Sequence, residues 1–91
     1  MLDEKKILEK AIAANGKTLQ SVVACEEYAE LIKEIVKTIR GEGNRNALIE
    51  EIADCEIMTQ QIKMINDIDE NSIQEEKKFK LLRLNDRINN K

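Results

Sequence analysis

The sequence predicts an all-α protein built from four helices, and three observations carry that prediction. Ninety-one residues include no proline and only three glycines, so little interrupts a helix. Charged residues make up 36% of the chain, as expected of helices with wet outer faces. Apolar residues recur at spacings of three and four over most of its length, the period of a helix with one buried side.

Each element can be placed in order. Helix one is expected from about Asp3, an N-cap, to Ala14, with Ile7, Leu8, Ala11 and Ile12 on one face. Asn15 and Gly16 end it, since both tolerate positive φ. Helix two starts near Thr18 and carries a stripe of Val22, Cys25, Ala29, Ile32, Val36 and Ile39 up to the break "GEG" at Gly41 to Gly43. Asn44 or Asn46 caps helix three, whose stripe is Leu48, Ile52, Cys55, Met58, Ile62 and Ile65. Asn66 to Asn71 reads as a loop. Ser72 with Glu75 then forms a capping box for helix four, with Ile73, Leu81, Leu84 and Ile88 on its stripe. The expected organisation is one domain over residues 1–91, with its main features in 8–65 and a basic amphipathic helix over 72–89.

A chain this short buries only roughly 60 to 65% of its unfolded surface, so a homo-oligomeric helical bundle is expected. No apolar run reaches the roughly 20 residues of a membrane span, and "MLDEKKILEK" lacks a signal peptide's apolar segment. The expectation is a cytoplasmic protein with no membrane partner. Residues 1–76 hold nine Lys and Arg against seventeen Asp and Glu, whereas residues 77–91 hold six against one. That basic tail is interleaved with leucines at helical spacing, which predicts a helix packed on the body and no nucleic-acid binding.

Catalytic classes narrow quickly. The absence of histidine removes imidazole bases and catalytic triads, and Cys25 and Cys55 form no CxxC. Two buried helical thiols are the expected outcome. Any chemistry must run on carboxylates, amines and metal.

The carboxylates are patterned. "CEEYAEL" carries Glu27 and Glu30 about 60° apart on helix two, and "EEIADCE" carries Glu51 and Asp54 on the core side of helix three. The macrodipole of helix three could account for Glu50 and Glu51, and a salt-bridge lattice could use Glu26 or Glu30 with Lys33, Lys37 or Lys63. Neither explains two i,i+3 acid pairs biased toward the core. Four gathered carboxylates need positive charge, and no cluster of inward Lys or Arg supplies it. A hard divalent cation, Mg²⁺ or Mn²⁺, suits such oxygen ligands.

"EEYAE" at Glu26 to Glu30, twenty residues, then "EIAD" at Glu51 to Asp54 resembles the EExxE…ExxD signature of MazG-like all-α nucleoside triphosphate pyrophosphohydrolases. The likeness runs from Leu8 to about Ile65, taking in Gly16, Gln20 and "RGEGNRN". It implies a dimeric or tetrameric four-helix module that cleaves an NTP or dNTP to the monophosphate and pyrophosphate. By motif position Glu27, Glu30, Glu51 and Asp54 would be Mg²⁺ ligands, with Glu26 and Glu27 the catalytic carboxylates. The sequence departs from the family where Asn15 replaces an aromatic residue and where Tyr28 and Phe79 are the only aromatic side chains.

The charges agree with that chemistry, because a triphosphate can approach an acidic site only through metal. Lys33, Lys37, Arg40 and Arg45 are candidates for neutralising its phosphates, and solvated helix charges otherwise. Two alternatives stand beside this reading: a non-catalytic helical dimerisation or adaptor module, and a relative specific for a deoxynucleotide or phosphoribosyl-ATP.

Overall fold

The computed structural model describes residues 2–90, and every regular element among them is an α-helix. Lys91, the last basic residue of the tail, lies outside the described residues. The helices are α1 (Glu4–Asn15), α2 (Lys17–Ile39), α3 (Arg45–Ile65) and α4 (Glu70–Asn89).

Local chemistry sets their limits. The Asp3 carboxylate accepts the Lys6 N–H at 3.1 Å and starts α1. A single residue, Gly16 at φ 86°, separates α1 from α2, so Asn15 stays helical and α2 begins one residue earlier than expected. Gly41, at φ 77°, ends α2 with the Glu42 N–H bonded to the Lys37 carbonyl and its own N–H bonded to the Thr38 carbonyl. This is a Schellman closure. Gly43 then passes so close to α2 that a Cβ there would lie 2.8 Å from the Thr38 Cα. Asn44, rather than Asn46, caps α3 by accepting the N–H groups of Asn46 and Ala47.

The start of α4 differs from the expected capping box. Asp69 is the cap, accepting the Ser72 N–H at 2.8 Å, and Ser72 lies inside the helix. A carboxylate at this position satisfies the first turn and also meets the positive end of the helix dipole, which a hydroxyl does not. Just before it, Asp67 repeats the closure of Gly41 at φ 53°, with Ile68 N–H bonded to the Lys63 carbonyl.

The packed body is the antiparallel pair α2 and α3, with α1 lying against both. Its apolar core is small, comprising Leu8, Ala24, Cys55 and Met58. Two buried amides join the helices, the Gln20 Nε2 donating to Gln61 Oε1 at 2.6 Å while Asn15 Nδ2 donates to Gln20 Oε1. The Tyr28 and Thr59 hydroxyls share a further hydrogen bond.

Two expected apolar stripes do not face this core. On α2 the side toward α3 is the line through Gln20, Ala24 and Leu31, because the small Ala24, 1% exposed, lets the two backbones approach. The stripe of Val22, Cys25, Ala29, Ile32, Val36 and Ile39 is turned to the outside, so of the two thiols expected to be buried only Cys55 is, and Cys25 is exposed. The second stripe is that of α4, which packs on no other helix and leaves Leu81, Leu84 and Ile88 exposed. After the left-handed turn at Asp67, only the Lys63 to Glu70 ion pair at 2.8 Å ties its first turn back to α3. On α3 the expectation holds better, with Cys55 and Met58 buried, Leu48, Ile62 and Ile65 half-buried, and Ile52 alone turned outward. Among the described residues no helix is long and apolar enough to cross a membrane.

The two helix closures give a stability test. Gly41→Ala forces a Cβ into the left-handed region and should cost about 1 kcal/mol in urea unfolding, whereas Asp67→Gly should cost nothing there. Equal losses from both would show that the turns are not set by φ.

Candidate metal centre

The α2 and α3 contact brings carboxylates together from both sides. Cys55 donates its thiol hydrogen to the Glu27 carbonyl at 3.4 Å, which fixes that turn of α2 beside the middle of α3. Glu51 and Asp54 then flank Cys55, and Glu27, Glu51 and Asp54 each place one oxygen within 4.8 Å of the other two. Glu27 and Glu51 are half-buried and Asp54 is exposed.

No cation offsets them. The ion pairs among the described residues join Lys37 to Glu34, Lys63 to Glu70 and Lys80 to Glu76. The salt-bridge lattice that could have used Glu26 or Glu30 is therefore not formed. Glu51 Oε2 is buried and has no hydrogen-bond partner.

The electrostatic result is a raised affinity for protons. Glu27 is pushed above the usual carboxylate range by desolvation first, then by the charge of Asp54 and a hydrogen bond to it, and then by Glu51 and Glu30. Glu51 is raised by desolvation, followed by Asp54, Glu30, Glu34 and Glu50. Burial, with the same acids around it, raises Cys55 too, which keeps it a protonated structural thiol.

Three of the four expected ligands are thus gathered. Glu30 is exposed and outside the group, although its charge reaches both Glu27 and Glu51. Glu26 is exposed and, about 100° round α2 from Glu27, also outside it. Lys33, Arg40 and Arg45 are exposed, and Lys37 is paired with Glu34 at 3.7 Å. Two grooves of about 710 Å³ are present, one between α1, the end of α3 and the start of α4, the other along α3 and bordered by Leu31 of α2 and by Glu70 and Lys77 of α4. Neither is lined by the three acids.

One participant escaped the sequence reading. Glu34 has a side chain only 12% exposed and acts on Glu51. Its signal was available, since it lies seven residues after Glu27 and therefore on the same line of α2.

The donor set fits a hard divalent cation, with three convergent carboxylate oxygens, a buried orphan oxygen at Glu51 and no protein cation paired with them. Without metal, raised folded-state affinities mean that the native chain binds more protons than the unfolded one just above the ordinary carboxylate range. Stability from Glu27 and Glu51 is then present at low pH and lost as pH rises through their raised values. In chelator, the melting temperature of wild type should fall over that interval relative to Glu51→Gln, and millimolar Mg²⁺ should restore wild type more than the variant. Parallel pH profiles for the two proteins would show that Glu51 is not under strain. No family model, curated protein or solved structure matches this chain.

Proposed function

We propose that this chain is a divalent-metal-dependent nucleotide pyrophosphohydrolase that cleaves an NTP or dNTP to the monophosphate and pyrophosphate. The observation that carries the reading is the convergence of Glu27, Glu51 and Asp54 from two helices with no cation to offset them. Their spacing within EExxE…ExxD, which resembles the MazG-like signature, supplies the reaction class.

Mg²⁺ or Mn²⁺, when bound, would neutralise phosphate charge and lower the pKa of water. Glu51 and Asp54, one turn apart on α3, would hold it from one side, and Glu27 from the other. Glu27, the one carboxylate of the group contributed by α2, would also accept the proton of an attacking water. Glu30, exposed and outside the group, would join the ligand set only through a change of rotamer. Glu26 points away from the group, so the proton-accepting role falls to Glu27 alone. Of the phosphate candidates, Lys37 is tied to the acidic line by its ion pair with Glu34.

A helical adaptor remains the second reading, favoured by the exposed apolar stripes of α2 and α4. Metal-dependent release of pyrophosphate across a panel of NTPs and dNTPs separates the two. Asp54→Asn should lower turnover at least about 100-fold, while Glu56→Gln, two residues on and exposed, should stay within about twofold. Oxygen from labelled water should appear in the monophosphate. Equal harm from both variants, or label in orthophosphate, would remove the proposed site.

A further inference from the structure

Two lines of charged side chains run along the side of α2 that carries the acid group. Glu34 follows Glu27 by seven residues and Lys37 follows Glu30 by seven, so each later residue lies within about 20° of the earlier one and about 10 Å further along the helix. Leu31 lies on the opposite flank of the Glu27 line, where it borders the groove along α3. Lys37 is therefore on the flank of Glu30, whose charge reaches both Glu27 and Glu51.

Lys37 differs from the other basic candidates in being held. Lys33, Arg40 and Arg45 are exposed, whereas Lys37 is half-buried and its ammonium lies 3.7 Å from the Glu34 carboxylate. Glu34 is a firm anchor, because its side chain is only 12% exposed. The contact is an attraction without a hydrogen bond. Lys63, by comparison, donates to Glu70 at 2.8 Å. At 3.7 Å the Lys37 ammonium keeps its donors for another acceptor. Long side chains on a helix lean toward its N-terminus, so the ammonium is carried back to the level of Glu34, toward the acid group.

We infer, on the reading of the chain as a nucleotide pyrophosphohydrolase, that Glu34 is a positioning residue: it holds the Lys37 ammonium where the two distal phosphates of a bound triphosphate end. With the α-phosphate at Glu27, Glu51 and Asp54, two further phosphates and one hydrogen bond span about the 10 Å between the levels of Glu27 and Glu34. A lysine free in solvent would have to be ordered as the substrate binds, whereas one already drawn to Glu34 is ordered beforehand. The same contact offsets the negative charge of Glu34, which by itself would repel phosphate.

Calorimetric titration of inorganic pyrophosphate into the Mg²⁺-loaded protein tests this apart from turnover. Lys37→Met should weaken pyrophosphate binding at least about tenfold and raise KM for the triphosphate by a similar factor, with kcat and monophosphate binding within about threefold. Lys33→Met, which removes an exposed charge four residues away, should change pyrophosphate binding less than about twofold. Glu34→Asp keeps the charge but shortens the anchor, and should weaken pyrophosphate binding about threefold in wild type and not at all in a Lys37→Met background. Equal losses from Lys37→Met and Lys33→Met, or a Glu34→Asp loss that persists without Lys37, would overturn this role, as would a Mg²⁺-loaded wild type that binds no pyrophosphate. A wild type that binds pyrophosphate through Lys37 and Glu34 yet cleaves no triphosphate would sustain the role and remove the reaction alone.

Discussion

Ala24, 1% exposed, is the small side chain buried where α2 meets α3, and the acid site depends on that contact. Helix pairs come this close only where small side chains lie at the contact. Cys55 fills the opposite side of it and bonds to the Glu27 carbonyl. Above and below, Gln20 with Gln61 and Tyr28 with Thr59 hold the register by directional hydrogen bonds that a one-residue slip would break. An apolar contact alone would tolerate sliding. The amide pair does not, and so the line carrying Glu27 stays opposite the turn carrying Glu51 and Asp54.

The same closeness creates the electrostatic problem at the site. Three carboxylates drawn within 4.8 Å, with Glu30 and Glu34 nearby, repel one another in a partly desolvated setting. A protein has three ways to settle such a cluster: protons, cations of its own, or a bound metal. Lysines are close in sequence, yet Lys37 is directed to Glu34 and Lys63 to Glu70. Protons are held by the raised affinities of Glu27 and Glu51, an arrangement that weakens as pH rises. A bound divalent cation would relieve the repulsion at neutral pH without protons.

The acid line and the apolar stripe of α2 lie on different sides of one helix. The narrow side toward α3 carries Gln20, Ala24, Glu27, Leu31 and Glu34, a line more polar than a helix normally buries. Its longer apolar stripe, Val22 to Ile39, is on the outer side, where it adds no fully buried residue to the core. This division explains why the body has so few buried apolar residues for a sequence that is 42% hydrophobic.

Helix content was legible in the sequence because it is local: the absence of proline, the caps Asp3 and Asn44 and the break at Gly41 act through neighbouring residues alone. The alignment of Glu51 with Asp54 was legible too, since i,i+3 spacing places two acids on one side of a helix whatever surrounds them. What periodicity cannot specify is which side of a helix meets a neighbour. The strongest apolar stripe of α2 looked like its core face, but helix packing selects the side that lets backbones approach, and Ala24 decided for the other. Asp69 against Ser72 was a contest between two competent caps three residues apart, settled by the direction in which the chain leaves Asp67. The separation of α4 from the body, the exclusion of Glu26 and Glu30 from the acid group and the inclusion of Glu34 near it all arise from contacts between segments distant in sequence. Only the tertiary structure could decide them.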